Sequence, residues 1–301
     1  MQPTLSILIV NYNSGTYAID CINSIFQQKN LTLQVIVVDN ASQDNSVNLL
    51  KDTFSQKITL IESDKNLGFA CANNLAATMA KSEYLLLLNP DTVISEPLTL
   101  ARLVDFLMQH PQVGMVGPAI DEPRKVKCVL PRYRYPSSGG LKYTEKFKHL
   151  PGDIAWILGA CMLIKRSVYE EIAGFDPDYF LYGEDADICL RLRLHGYQIG
   201  YYDAIKITHV SGASEIGANS LDKWLRKKRG VFLFCKKHFD SRDALHFAQS
   251  AIIKSSVYLF FVELRSRVIL SNNESIIDKK NRLKATKIAA KELIDQLKAT
   301  K

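Results

Sequence analysis

Three groups of side chains in this sequence are spaced to do chemistry: Asp91, the acids Glu184, Asp185 and Asp187, and His209. Asp91 closes the run Tyr84-Leu85-Leu86-Leu87-Leu88-Asn89-Pro90-Asp91. A short continuous apolar run bounded by proline reads as a strand buried on both faces. Such a strand delivers Asp91 to the carboxyl edge of a sheet, where open α/β folds bind ligands. A carboxylate fixed there suits a divalent cation held against a diphosphate; the plainer alternative is a turn acid after a core strand. Glu184, Asp185 and Asp187 precede an apolar helical stretch over residues 188–194. Acids at a helix start favour its dipole, but three exceed what one cap needs, which leaves carboxylates to face a cleft. His209 is followed by Val210-Ser211-Gly212-Ala213-Ser214, an irregular loop that can bring imidazole and backbone near an anion. A satisfied core or surface histidine is the ordinary alternative.

The elements that must position these groups alternate. Apolar runs over residues 5–10, 33–38, 58–62 and 113–116 read as strands, and residues 18 onward, 43–54, 70–80 and 97–109 as helices. Strands alternating with helices at this spacing imply βαβ units and a parallel sheet. The strands stop at Asn11-Tyr12-Asn13-Ser14-Gly15, Asp39-Asn40-Ala41-Ser42 and Asn66-Leu67-Gly68-Phe69. One such acid is usually a cap or a turn former; Asp39, Asn66 and Asp91 in register along one edge make a pocket. Over residues 119–153 prolines and glycines such as Pro123, Gly139, Gly140 and Pro151 break the pattern. Basic and aromatic residues lie between them, among them Arg124, Lys125, Lys127, Arg132, Tyr133, Lys142 and Tyr143. A connection this long is functional or a surface insertion; as a rim it would meet phosphates and stack on sugar rings. Beyond it come a strand over 154–164 carrying Trp156 and a tight Gly159-Ala160 pair, a helix over 165–173 closed by Gly174, and a strand over 198–202.

With 301 residues, 47% hydrophobic, the chain can bury a large core; its net charge of +7 favours an anionic partner, whether a nucleotide diphosphate, an acidic membrane surface or nucleic acid. Six scattered cysteines with no CxxC pair read as small core residues in a reducing compartment. The N-terminus enters a strand without a signal-peptide pattern, so a cytoplasmic location is expected.

Taken together, several stretches resemble the family 2 glycosyltransferases of GT-A fold, in particular bacterial rhamnosyltransferase-like members. They are Ile9-Val10-Asn11-Tyr12-Asn13, Val37-Val38-Asp39-Asn40-Ala41-Ser42, Asn66-Leu67-Gly68-Phe69, Leu88-Asn89-Pro90-Asp91, Gly159-Ala160, Gly174-Phe175-Asp176 and Tyr182-Gly183-Glu184-Asp185-Ala186-Asp187. The match runs from about residue 5 to 214. It implies an α/β, Rossmann-like mixed and mainly parallel sheet flanked by helices, with a helical C-terminal extension. It implies a catalytic domain over 1–217, with a nucleotide-binding half to about 118 and an acceptor half beyond, followed by a helical region over 218–301. Val10, Asn11, Tyr12, Asn13, Asp39, Asn40, Asn66, Gly68, Phe69, Asn73, Asn89 and Asp91 would bind a nucleotide-sugar. Trp156, Gly159 and Ala160 would meet the acceptor. Asp91, matching the last acid of the DxD motif, and His209 would bind Mg2+ or Mn2+. Asp185, the acid of the ED motif, would be the general base of an inverting transfer, with Glu184 and Asp187 as lesser candidates. Asn89 stands where DxD has its first acid, which removes one charge from the metal site.

The resemblance implies dTDP-L-rhamnose as donor, with a UDP-sugar as the alternative. The implied acceptor is a saccharide, free or linked to undecaprenyl diphosphate, in surface-polysaccharide assembly. A catalytically silent glycan-binding module is the rival class, and the Glu184-Asp185 pair argues against it because binding needs no base. No nucleic-acid motif accompanies the basic residues, so nucleic acid is not expected.

In the last third, Lys223, Arg226, Lys227, Lys228, Arg229, Lys236 and Lys237 form a run without an acid between them, read as a solvated helix face. Residues 244–270 are rich in Ile, Val, Leu and Phe, interrupted by Lys254 near the middle and closed by Glu263, Arg265 and Arg267. A spanning helix would bury that lysine at about 2.5–3.5 kcal/mol, so a helix packed on the protein or lying at the inner face of a membrane is expected. A final helix over 279–301 carries Leu283, Ala290, Leu293 and Leu297 on one stripe, interrupted by Thr286, and would pack on the body or pair in a homodimer.

Overall fold

The computed structural model describes residues 4–123, 128–136, 146–210, 219–268 and 274–299. Arg124, Lys125, Lys127, Gly139, Gly140, Lys142 and Tyr143 of the expected rim, and Ser211 to Ser214 after His209, lie outside the described residues. The chain divides into two compact units. One comprises Met1–Tyr135, His149–Phe180 and Glu184–Ile216; the other comprises Pro136–Lys148, Leu181–Gly183 and Gly217–Lys301.

The first unit is built on one sheet. Its strands are β1 (Leu5–Asn11), β2 (Leu33–Asp39), β3 (Thr59–Glu62), β4 (Tyr84–Leu88), β5 (Thr92–Val93), β6 (Val113–Asp121), β7 (Cys128–Val129), β8 (Cys161–Lys165) and β9 (Gln198–His209). They lie in the order β3-β2-β1-β4-β8-β6-β9-β5, with β7 beside β6. Every residue of β1 and β4 is buried, as continuous apolar runs covered on both faces require. β1, β2, β3 and β4 are parallel, β8 inverts between β4 and β6, and β6 pairs parallel with β9. The fold is therefore α/β with a mixed sheet in which parallel pairing dominates the long strands. Helices Thr16–Phe26, Ser46–Phe54, Phe69–Thr78 and Thr99–Gln109 bury apolar faces in this unit.

Three strands differ from the sequence expectation. The run 154–164 is a strand only from Cys161, because Trp156 makes an isolated bridge to Arg132 and Ala160 turns its carbonyl to the Asn89 N–H. β6 continues to Asp121, past Pro118. The ladder to β9 shifts register between Pro118 and Ala119, and such a bulge is where a strand tolerates proline. β9 runs on to His209, the exposed pair Asp203 and Ala204 at its register shift having interrupted the alternation. His209 thus ends a strand rather than sitting in a loop. All six cysteines are free; Cys21, Cys161, Cys189 and Cys235 are buried as core residues, and burial pushes the Cys21 thiol up to about 12, while Cys71 and Cys128 are only half-buried.

The second unit is helical, with helices Ser220–His238, Ser241–Val268 and Glu274–Ala299 packed together. Phe232 meets Phe247 edge-on, and Phe234 and Phe147 both pack on Phe239. Gly230 has to be glycine: a Cβ there would collide with the Tyr182 carbonyl oxygen. The basic run of the first of these helices is not a freely solvated face. Lys227 lies over the Trp224 and Tyr182 rings, Arg229 pairs with Glu292 at 2.6 Å, and burial lowers the Lys228 pKa. The last helix starts at Glu274, and its buried stripe is Ala285, Ala289, Ala290 and Leu293. Leu283 and Leu297 are only half-buried.

Candidate active site

The parallel register places the ends of β1, β2, β4, β6 and β9 on one edge. Asn11 stands opposite Asp39, and Asp121 opposite Thr208. Because β4 and β8 are antiparallel with Leu88 opposite Cys161, the end of β4 meets the start of β8. Asn89 therefore sits against Ala160, and Gly159 against Asp185.

On the β1–β2 side, Asp39 is held by its neighbours. Its Oδ1 accepts from Asn11 Nδ2 at 2.7 Å and Ser42 Oγ at 2.6 Å, and its Oδ2 accepts from the Ser42 N–H at 3.0 Å. Asn11 is 0% exposed and also donates to Ser46 Oγ, so it orients Asp39 and does not itself reach open space. Asn13 takes positive φ, accepts from the Gln43 N–H and donates its N–H to Ser42 Oγ, tying the two loops together. Val10 is buried in β1, and Tyr12 stands half-buried just beyond it.

Asn40 is another brace. Its Oδ1 accepts from the Leu67 N–H, and its Nδ2 donates to Asn66 Oδ1. Asn66 in turn accepts from the Gly68 N–H. Gly68 has φ +81, and a Cβ would lie 2.6 Å from the Phe180 carbonyl oxygen; only glycine suits both the conformation and the approach. Phe69 donates its N–H to that oxygen and packs edge-on to Phe175, while Asn73 is buried and bonds the Phe69 carbonyl.

At the centre, His209 Nε2 lies 3.1 Å from Asp91 Oδ1 and 3.3 Å from Asn89 Nδ2, and all three come from the paired β4–β5 and β9 ends. On the far side of the ring, Nδ1 is 3.4 Å from Glu122 Oε1, an ion-pair distance rather than a hydrogen bond. The ring therefore lies between two carboxylates, with Nε2 on the Asp91 side and Nδ1 on the Glu122 side. Among the described residues no three His, Cys, Asp or Glu side chains cluster at metal-ligand spacing. Two such groups plus a carboxamide still form an oxygen-and-nitrogen donor set of the size used when phosphate oxygens complete the shell.

Asp185 opens the helix Glu184–Leu194. It is half-buried, takes N–H bonds from Ala186 and Gly159, and has Arg132 close enough to draw its pKa down. Burial outweighs these and pushes the carboxyl up to about 6. Trp156 donates its indole N–H to the Arg134 carbonyl with Arg132 over its ring. Asp187 differs from Asp185 although it shares the same turn. It is 0% exposed and salt-bridged to Arg191 Nε at 2.8 Å, while Arg191 also donates to the Ile172 carbonyl. Asp187 is therefore enclosed and already paired, unlike Asp185. Glu184 is buried too.

Sequence reasoning missed Glu122, Ser46 and Asn74. Asn74 clamps the Gly174-Phe175 turn, accepting from Tyr169 Oη and the Phe175 N–H and donating to the Phe175 carbonyl. A polar residue two positions past a buried alanine was the only available sign of it.

The sequence profile of the family described as Glycosyl transferase family 2 matches residues 6–173, and one described as N-terminal domain of galactosyltransferase matches 140–212. An N-acetylglucosaminyl-diphospho-decaprenol L-rhamnosyltransferase of Mycobacterium tuberculosis is 24% identical over 239 residues, spanning 69% of this chain and 76% of that protein. A low-salt glycan biosynthesis hexosyltransferase of Haloferax volcanii is 27% identical over 219 residues, spanning 69% and 68%. Among solved structures, a mannosyltransferase of Pyrobaculum calidifontis in complex with GDP-Man and Mn2+ superposes with a TM-score of 0.59 at 19% identity, covering 97% of this chain and 87% of that one. The profile spans more than half the chain and takes in the β1, β2 and β4 edge residues just described, so this protein belongs to glycosyltransferase family 2 and is a glycosyltransferase of GT-A fold.

Proposed function

We propose that the chain is an inverting transferase that moves L-rhamnose from dTDP-L-rhamnose to a lipid-diphosphate-linked saccharide during surface-polysaccharide assembly at the cytoplasmic face of a membrane. The catalytic domain spans residues 1–217 in this reading, with the donor on the Asp39–Asn66–Asp91 side and the acceptor toward Trp156, Gly159 and Ala160. The carrying observation is Asp185: a half-buried carboxylate raised to about 6, held by the Gly159 and Ala186 N–H groups. In the transfer, Asp185 takes the proton of the acceptor hydroxyl as its oxygen bonds to the anomeric carbon. The bond from that carbon to the diphosphate oxygen breaks, and the nucleotide diphosphate leaves with the electron pair.

Asp91, His209 and Asn89 would hold a divalent cation, Mg2+ or Mn2+. When bound, it neutralises charge on the departing diphosphate. The convergence of these three side chains supports this reading. The Mycobacterium relative's name favours rhamnose and a polyprenyl-linked acceptor. A UDP-sugar is the alternative donor.

Calorimetric titration with dTDP and UDP, each with and without Mn2+, on wild type and Asp91→Ala tests the assignment. Mn2+-dependent binding of dTDP that the variant loses is expected. Preference for UDP replaces the donor, and binding of neither nucleotide removes the donor site.

A further inference from the structure

The helical unit carries a surface that the transfer chemistry does not use. The helix Ser241–Val268 buries Ala244, Phe247, Ala248, Ala251 and Ser255. On its opposite side Ile253 is 65% exposed, Val257 50%, Phe260 62%, Phe261 58% and Leu264 50%. The spacing i, i+4, i+7, i+8, i+11 puts all five on one face. Toward the helix start the same face turns polar, with exposed Arg242, His246 and Gln249, and exposed Lys254 and Arg265 border the apolar part. Single exposed apolar residues are ordinary, whereas a contiguous stripe with a polar border marks a binding surface.

Charge identifies what the stripe meets. Residues 217–301 hold 19 of the 38 Lys and Arg but only 8 of the 31 Asp and Glu, a net +11, which leaves −4 for residues 1–216. The exposed face of the helix Glu274–Ala299 repeats the combination, with Ile277 and Ile288 among Lys284 and Lys291.

We propose that this face docks on an anionic lipid bilayer, the helix lying in the interface with Ile253, Val257, Phe260, Phe261 and Leu264 among the acyl chains. Lysine and arginine stems run along apolar surface while their heads reach lipid phosphates, so a basic border around an apolar stripe fits the headgroup boundary. By length and composition alone Ser241–Arg265 could cross a membrane. Its other face, however, is packed on Glu274–Ala299, a helix too rich in Lys, Arg, Asp and Glu to follow it into a bilayer core. A second copy fits the surface poorly, because two copies of a stretch with net charge +11 repel where an anionic membrane attracts. This deepens the reading of a lipid-linked acceptor and rests on it for its purpose; the surface itself is argued from the helical unit.

Co-sedimentation of the full chain with vesicles of phosphatidylcholine, and of phosphatidylcholine mixed with phosphatidylglycerol, tests it. The double variant Phe260→Ser, Phe261→Ser removes exposed groups and should melt as wild type does. Wild type is expected to partition at least about tenfold better onto the anionic vesicles and to lose that preference at high salt. The double variant should lose about tenfold. Equal partition onto both vesicles, no partition, or a dimer in sedimentation equilibrium that the double variant abolishes would each overturn the proposal. Titration with dTDP alongside separates the two readings. Vesicle binding without nucleotide binding removes the donor assignment and keeps the docking surface, and the reverse result does the opposite.

Discussion

Replacing Asp185 with asparagine should trade activity for stability, with both effects set by one pH. Burial carries this carboxyl from the ordinary 3.8 to about 6. About nine-tenths of it is ionised at pH 7 and about one-tenth at pH 5, so wild-type kcat/KM should fall about tenfold for each pH step below 6. Removing a general base costs about 100- to 10,000-fold in rate, and the Asp185→Asn variant should show a profile without that limb. The sign on stability is opposite. Below pH 3.8 folded and unfolded chains both hold the proton. Between there and about 6 only the folded chain holds it, and stability declines as pH rises; above 6 the full penalty of a buried charge is present. At about 1.36 kcal/mol per pH step of displacement, and discounting for partial exposure, that penalty is about 2 kcal/mol. The variant keeps an oxygen to accept the Ala186 or Gly159 N–H, and should therefore be about 1–2 kcal/mol more stable than wild type at pH 7. Nucleotide diphosphate release measured across pH, with urea unfolding at pH 4 and 7, reads both quantities. A flat wild-type profile, a variant within tenfold of wild type, or a variant less stable at pH 7 would each refute the assignment.

Asp187→Asn should behave in the opposite way. It strips a buried carboxylate from Arg191 and should destabilise by about 3–5 kcal/mol, visible as a lower Tm, while the molecules that stay folded keep the limb near pH 6. Glu122→Gln removes the carboxylate behind His209. It should weaken Mn2+ binding about tenfold, read by electron paramagnetic resonance of free Mn2+ in the absence of nucleotide; an unchanged affinity would show that Glu122 does not seat the ring.

Which parts of the site were legible in the sequence follows from what burial imposes on a chain. Asp39, Asn66 and Asp91 were readable because each lies at or just past the end of an apolar strand, and such strands in a parallel sheet all end on the same edge. Glu122 was hidden by a sound rule applied one residue too far. Gly117-Pro118 reads as a strand breaker, yet β6 passes through it on a bulge, and the strand end that carries Glu122 was lost with it. His209 was misplaced in a loop because exposed Asp203 and Ala204, at the register shift of β9, break the pattern after Tyr202 and hide the alternation that Ile205 and Ile207 resume. Asp187 and Arg191 stand at i and i+4, a pairing visible in the letters alone. The mere presence of three acids concealed it, because counting carboxylates does not reveal which of them already has a partner. Composition carried more than local pattern in the last third. The helical stripe moved to Ala285 and Ala289, but the surplus of lysine and arginine over residues 217–301 remains even if each of the 8 acids there, Glu292 with Arg229 among them, takes one partner. A surplus that folding does not neutralise must be balanced from outside, and the exposed stripe of Ser241–Val268 lies within the same unit.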